Sequence, residues 1–465
     1  MSIENYRNVV IGSGVGGKLI GWTLAKRGQR TVVVERSMIG GACPNVACLP
    51  SKNVVYSAKA VALVDPKIGL HVTKGQLQVD MAGVARRKRE MVDGLVEMHL
   101  ANFKASGAEL CMGEARFVEP KTFEVKLNEG GLRRLRGERV FLGLGSRASI
   151  PTVQGLAKAK PLTHVEALDL ERVPEHLVVM GGGYVGLEFA QAMRRFGSRV
   201  TIIQRGKQLL DRDDGDIARA VEEVMRDEGI DVLLQAEIVD VSGRSGDSVK
   251  IRVRDANGER NIEASDILVA AGRTPNTDRI DSAKGRVALD ARGYIRVNDR
   301  LQTSAADVWA VGDCAGSPHF THVGEDDFRI VVNNLDGGNR TTCGRLIPYC
   351  LFTDPEVAHV GLSENDATTQ GVEYRLVKMP MAMVLRTRTL SETRGFAKAL
   401  IGGGDRILGF TAFGAEASEM MAVVQTAMMG GMPYTALRDV IFTHPTAAEG
   451  LIGLFSQPPV EPARN

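Results

Sequence analysis

A short apolar run, Asn8-Val9-Val10-Ile11, breaks off at Gly12-Ser13-Gly14-Val15-Gly16-Gly17. An Ala/Leu/Lys-rich stretch follows, and a second apolar run, Thr31-Val32-Val33-Val34, ends at Glu35. Unbroken apolar runs bounded by glycine read as buried strands, and the longer mixed stretch between them as a helix. The pattern returns later. His176-Leu177-Val178-Val179-Met180 leads into Gly181-Gly182-Gly183-Tyr184-Val185-Gly186-Leu187-Glu188, and Ser198-Arg199-Val200-Thr201-Ile202-Ile203 closes the second copy at Gln204-Arg205. Glu35 lies 23 residues past Gly12, and Gln204 lies 23 past Gly181. Two strand–helix–strand units with matched spacing predict two dinucleotide-binding domains in an α/β chain.

Each glycine has its own task in the pattern Gly-x-Gly-x-x-Gly. Gly12 and Gly181 make the tight turn, Gly14 and Gly183 let the backbone approach a pyrophosphate, and Gly17 and Gly186 let helix pack on strand. The helix N-terminus adds unpaired N–H groups and a positive dipole end. Glu35 is placed to accept hydrogen bonds from ribose hydroxyls. In the second copy that acid is replaced by neutral Gln204, with Arg205, Lys207 and Arg212 behind it. A ribose 2′-phosphate would meet cations there, so NADPH is favoured over NADH, although Gly186 keeps the turn in the form common with NAD.

Directly after the first unit comes Gly40-Gly41-Ala42-Cys43-Pro44-Asn45-Val46-Ala47-Cys48-Leu49-Pro50-Ser51-Lys52. Two cysteines at this spacing fit buried small residues, a partial metal site or a static disulfide. Their position behind a dinucleotide-binding unit points to a thiol pair set against a bound cofactor. Six cysteines in 465 residues form no disulfide framework, so Cys43 and Cys48 are expected to cycle between disulfide and dithiol. Cys111, Cys314, Cys343 and Cys350 are given no functional role: Cys314 reads as filling space, Cys343 and Cys350 as buried or merely tolerated, and no resident metal site is assigned.

Composition narrows the partners. A length of 465 residues suits about three domains, and a net charge of +2 gives no reason to invoke nucleic acid or an anionic membrane. Arg86-Arg87-Lys88-Arg89 reads as a solvated helix face. No signal peptide precedes the first strand, and no apolar run approaches the roughly 18 residues of a membrane helix, so a cytoplasmic protein is expected.

With these motifs the chain resembles the class I pyridine nucleotide-disulfide oxidoreductases, the flavoproteins that include glutathione reductase, dihydrolipoyl dehydrogenase and mercuric reductase. Further matches run through Phe141-Leu142-Gly143-Leu144-Gly145-Ser146, Gly272-Arg273-Thr274-Pro275-Asn276, and Thr303-Ser304 with Val308-Trp309-Ala310-Val311-Gly312-Asp313. They continue through Phe352-Thr353-Asp354-Pro355-Glu356-Val357-Ala358-His359-Val360-Gly361 and His444-Pro445-Thr446-Ala447-Ala448-Glu449. The resemblance implies two Rossmann-like domains, for FAD and NAD(P), plus a C-terminal α+β dimerisation domain. The FAD domain would span residues 1–150 and 276–340, the NAD(P) domain 151–275, and the dimerisation domain 341–465, with its sheet starting near Ile347 and a flexible tail from Gln457 to Asn465.

The resemblance also implies roles. Cys48 would contact the flavin and Cys43 attack substrate, with His444 as exchange acid/base, oriented by Glu449 and supplied by the partner subunit of a homodimer. Lys52 and Glu188 would pair beside the reactive flavin nitrogen, and Tyr184 would cover the nicotinamide pocket. Gly41, Gly145, Gly272 and Asp313 would complete the cofactor cradles, and a helix starting near Thr321-His322-Val323 would aim its N-terminus at the flavin. The acceptor would be a small or protein-bound disulfide. Alternatives are a thiophilic metal ion such as Hg(II), or a redox sensor read by a partner protein. The end of the chain, Phe455-Ser456-Gln457-Pro458-Pro459, lacks the cysteine pair of mercuric reductases. Pro44, Ala47 and Gly143-Leu144-Gly145 also depart from the best-known members.

Overall fold

A computed structural model describes residues 2–66 and 69–461. The chain begins with β1 (Ile3–Ile11), α1 (Val15–Lys26), β2 (Thr31–Glu35), α2 (Ala42–Val46), α3 (Cys48–Val64) and α4 (Met81–Ser106). β3 (Glu109–Glu119), β4 (Thr122–Leu127), β5 (Leu132–Leu142) and β6 (Ser146–Ala148) follow. β1 lies between β2 and β5, all parallel, and β3 extends the sheet beyond β2. Strands covered on both faces need apolar side chains on both, and every residue of β2 is buried. β4 pairs antiparallel with both β3 and β5.

Next come α5 (His164–Leu168), β7 (His176–Met180), α6 (Tyr184–Phe196), β8 (Arg199–Ile203), α7 (Gly215–Asp227) and β9 (Asp231–Leu233). β10 (Glu237–Arg244), β11 (Ser248–Asp255), β12 (Gly258–Ala264), β13 (Asp266–Val269) and β14 (Arg273–Pro275) complete this part. β13, β7, β8 and β9 form a parallel sheet in that order, and β10–β12 an antiparallel one. β6 pairs with β14, so the chain leaves and returns at one place. β15 (Val308–Ala310) then joins β5 in parallel, and α8 (Thr321–Leu335) follows.

The last sheet is antiparallel: β16 (Tyr349–Leu351), β17 (Glu356–Gly361), β18 (Arg375–Pro380), β19 (Phe396–Ile401) and β20 (Ile407–Gly414), in the order β16-β17-β20-β19-β18. The helix Ala417–Met429 packs its Met420, Met421 and Val424 on this sheet's core. The architecture is therefore the α/β chain with a C-terminal α+β domain that the sequence predicts. Among the described residues no helix is long and apolar enough to cross a membrane.

Two expectations need correction. Lys88 does not lie on a solvated face: it is 5% exposed and its ammonium pairs with Asp169. The basic run sits on α4, where a residue two or three positions from exposed Arg86 turns inward at helical period. Nor is the C-terminal segment free from Gln457 on, because Val460 exchanges backbone hydrogen bonds with Leu376 at 2.7 and 3.0 Å. Residues 462–465 of that segment lie outside the described residues.

The third glycines of the two fingerprints are fixed by close approach. A Cβ on Gly17 would stand 2.1 Å from the Gly12 carbonyl oxygen, and one on Gly186 2.1 Å from that of Gly181. Gly186→Ala must push α6 away from β7, a strain of about 1–3 kcal/mol. A rise of about 10- to 100-fold in KM for the pyridine nucleotide is expected, with reoxidation of chemically reduced enzyme unchanged. Steady-state kinetics with a rapid-mixing oxidative half-reaction check both.

Candidate active site

The cysteine run folds as two helices in tandem. α2 ends at Val46, Ala47 takes φ −131° and ψ −107°, and α3 starts at Cys48. Cys48 thus opens a helix, where the dipole favours a thiolate. Its Sγ lies 3.3 Å from the hydroxyl of Thr321, the first residue of α8, so a second helix N-terminus converges on the same sulfur. Both thiols are free. The hydrogen bond from Cys43, then that from Thr321 and the nearby charge of Lys52, draws the Cys48 thiol down to about 6 against the cost of burial. Cys43 moves the other way, raised by that same hydrogen bond, by burial and by the charge on Cys48. The pair therefore ionises first at Cys48, with Cys43 as the proton donor.

One turn along α3, Lys52 Nζ donates to both carboxylate oxygens of Glu188 at 2.9 and 2.7 Å. Glu188, on α6, is 5% exposed and also accepts from the Phe352 N–H at 3.0 Å. Lys52 stands 4.8 Å from the centroid of the Phe352 ring. A buried carboxylate is tolerable only when so paired, and the pairing locks the lysine charge beside the cysteines.

The glycine turns make two cradles. In the first, a Cβ on Gly41 would come within 2.5 Å of Gly14 Cα, while one on Gly14 would meet nothing nearer than 3.9 Å, leaving the Cβ side of Gly14 open for a pyrophosphate to approach the backbone. Glu35 is held by the Ser37 and Met38 N–H groups and by the N–H and hydroxyl of Ser13, so a ribose must take over the place of the Ser13 hydroxyl. Asp313 bonds the Ser146 hydroxyl and stands 3.7 Å from Arg273. Gly145 and Gly272 line the crossing formed by β6 and β14. These residues suit a dinucleotide with an extended polar chain.

In the second cradle no atom lies within 4 Å of a Cβ added to Gly183. Gln204 accepts from the Gly182 N–H at 3.0 Å and donates to Asp211 at 2.7 Å. Arg205, Lys207 and Arg212 are exposed and make no ion pair among the described residues. Tyr184 opens α6, with its ring 5.6 Å from that of Tyr349.

His444 Nδ1 lies 3.0 Å from both carboxylate oxygens of Glu449, and its side chain is 60% exposed. Within this chain the pair makes no hydrogen bond to either cysteine. The structure thus assembles Cys43, Cys48, Lys52 and Glu188 in one place and His444 with Glu449 in another. Sequence reasoning missed three contributors. The Thr321 hydroxyl carried no motif beyond its place at a helix start. Asp327, fully buried, accepts from the Gly312 N–H at 2.7 Å and fixes the loop that carries Asp313. Lys18 on α1 meets His99 Nε2 on α4, beside the cysteine loop at Gly40.

Comparison with known proteins follows the same lines. A family model described as pyridine nucleotide-disulphide oxidoreductase matches residues 6–327, and that family's dimerisation domain matches residues 347–453. The probable pyridine nucleotide-disulfide oxidoreductase RclA of Escherichia coli (strain K12) is 34% identical over 98% of this chain and 99% of its own. A mercuric reductase of Lysinibacillus sphaericus is 31% identical, covering 96% of this chain and 82% of that one. A dihydrolipoamide dehydrogenase of Chaetomium thermophilum is 30% identical, covering 95% and 88%. Among solved structures, a Cu(II) complex of the HOCl-induced flavoprotein disulfide reductase RclA from Escherichia coli superimposes with a TM-score of 0.89 at 33% identity, covering 97% and 99%.

Proposed function

The chain belongs to the pyridine nucleotide-disulphide oxidoreductases, FAD-dependent enzymes that use pyridine nucleotides, and from that we propose that it moves electrons from NADPH through FAD to Cys43–Cys48 and on to a small or protein-bound disulfide. The observation that carries this reading is the Cys48 sulfur, set between two helix N-termini beside Lys52 and hydrogen-bonded by Cys43. FAD, when bound, supplies the two-electron relay between nicotinamide and thiols. In this reading residues 1–150 and 276–340 hold FAD, residues 151–275 hold NADPH on Gln204, Arg205, Lys207 and Arg212, and residues 341–465 form the homodimer contact.

The chain's own groups then act in order. Cys43, ionised by His444 of the partner subunit, attacks one sulfur of the disulfide, and the leaving thiolate takes its proton from that imidazole. The Cys48 thiolate next attacks the Cys43 sulfur, releasing the second half of the substrate as its thiolate and closing the Cys43–Cys48 disulfide. Glu449, 3.0 Å from Nδ1, orients the imidazole. Lys52, held by Glu188, offers a fixed positive charge where electrons pass.

A second reading makes a thiophilic metal ion the acceptor. Two adjacent free thiols are soft donors, and the RclA relative forms a Cu(II) complex. One experiment separates the readings. The purified protein is reduced anaerobically with NADPH or NADH, then challenged with glutathione disulfide, lipoamide, Cu(II) and Hg(II). Rapid reoxidation by a disulfide is expected, after reduction that is faster with NADPH. Reoxidation by metal ions alone establishes the second reading, and reoxidation only by oxygen and dyes overturns both.

A further inference from the structure

Asp213 is a buried carboxylate that neither the hydride path nor the thiol exchange uses. It sits in the loop between β8 and α7, 4% exposed. Its Oδ1 accepts from the Tyr349 hydroxyl at 2.9 Å, and its Oδ2 stands 3.4 Å from the Tyr184 hydroxyl. Among the described residues no cation forms an ion pair with it. Burying a charge against two phenols, with only the unpaired charge of Arg212 nearby, is costly, so the arrangement calls for a reason beyond packing.

Its neighbours supply one. Tyr349 lies nearly parallel to Phe320, with ring centroids 6.1 Å apart and planes 3° apart, and Phe320 directly precedes α8, whose first residue touches Cys48. On the other side, Asp213 shares its loop with Arg205, Lys207 and Arg212. That loop is stitched to the second fingerprint through Gln204 to the Gly182 N–H and through the Leu210 N–H to the Gly182 carbonyl, at 3.0 Å each. The segment that would read the adenosine end of the nucleotide therefore also grips the tyrosine that would cover the nicotinamide end.

We propose that Asp213 is a positioning residue for Tyr184: with Tyr349 it latches the phenol in the nicotinamide pocket, and a 2′-phosphate drawing Arg205, Lys207 and Arg212 toward itself releases the latch. Discrimination between NADPH and NADH then has two sources. One is direct charge pairing at the adenosine ribose. The other is the work of opening the pocket, which NADH, lacking the 2′-phosphate, must do unaided. A latch of one charge-assisted hydrogen bond shifts the opening equilibrium by about tenfold.

The inference rests on the NADPH reading above, and the test keeps the two apart. Rates of flavin reduction by NADPH and by NADH are measured by rapid mixing for the wild type, Tyr349→Phe and Asp213→Asn, all as FAD-loaded protein. Wild-type preference for NADPH tests the cofactor reading alone. The latch predicts that both variants accelerate reduction by NADH about tenfold and narrow the NADPH/NADH ratio, with reoxidation by the acceptor unchanged. Tyr349→Phe removes a single hydroxyl, so it remains informative if Asp213→Asn fails to fold. An unchanged ratio in Tyr349→Phe overturns the latch, whichever nucleotide the wild type prefers. If the wild type shows no preference, the NADPH reading falls, and faster reduction by NADH with reduction by NADPH unaltered in Tyr349→Phe still identifies the latch.

Discussion

Cys43→Ser is expected to lose disulfide turnover by at least about a thousandfold while NADPH still reduces the flavin within about twofold of the wild-type rate, because only the exchange nucleophile is gone. The same variant reports on Cys48. In the wild type, Cys48 is drawn down to about 6 chiefly by the Cys43 hydrogen bond. A depressed thiol is ionised above that value and protonated below it. The long-wavelength thiolate-to-flavin band of the two-electron-reduced enzyme should thus be full at pH 8 and fade as pH falls through about 6. Serine at position 43 can still donate to Cys48, so Cys43→Ser should keep a band with a similar midpoint. Cys43→Ala removes the donor, and its midpoint should move up toward the ordinary thiol range. Spectral titration of the three proteins, alongside turnover with a disulfide, checks all of this. Unchanged disulfide turnover in Cys43→Ser would refute the assignment.

His444→Ala is expected to slow the oxidative half-reaction by about 10²- to 10⁴-fold and to leave reduction by NADPH nearly untouched. The reason lies in the asymmetry of the thiols. The features that favour the Cys48 thiolate push Cys43 above the usual thiol range, so the attacking sulfur needs a base to take its proton. Among the described residues of its own chain, the groups hydrogen-bonded to Cys43 do not serve, since Cys48 and Thr321 are engaged with each other. His444 is exposed and held by Glu449, and in the proposed mechanism it would answer that need from the partner subunit. Mixing Cys43→Ser with His444→Ala subunits tests this directly. A shared site gives each mixed dimer one intact centre, and with mixed dimers forming half the population about a quarter of wild-type activity returns. A site confined to one chain gives none. Equal loss of both half-reactions in His444→Ala would also count against the exchange role.

What could be read from the sequence was whatever repeats or sits close together along the chain. The two glycine fingerprints declared themselves through identical 23-residue spacing, and Cys43, Cys48 and Lys52 fall within three helical turns. Strand limits were less legible: β1 begins at Ile3, five residues before the apolar run, because its outer half pairs with β5 through polar residues. Lys88 was misread because a run of four basic residues hides the 100° advance of a helix, which turns one of them inward. Contacts across great separations left no trace at all. The Asp213–Tyr349 hydrogen bond spans 136 residues, and neither partner belongs to a motif. Val460 is tied to Leu376 by backbone groups alone, which no side-chain pattern reveals.

The Cys48–Thr321 contact spans 273 residues, and Glu188 is gripped by Lys52 from 136 residues upstream and by the Phe352 N–H from 164 downstream. During synthesis the cysteines emerge from the ribosome long before the groups that sharpen them. A nascent chain therefore carries two thiols without the second helix terminus and without the locked lysine charge. The share of the Cys48 ionisation that comes from the Thr321 hydroxyl, on top of the local hydrogen bond from Cys43, is acquired only after roughly two thirds of the protein has been made. Reactivity is in that sense completed late in translation, and a prematurely terminated fragment lacks the part that the second helix terminus adds.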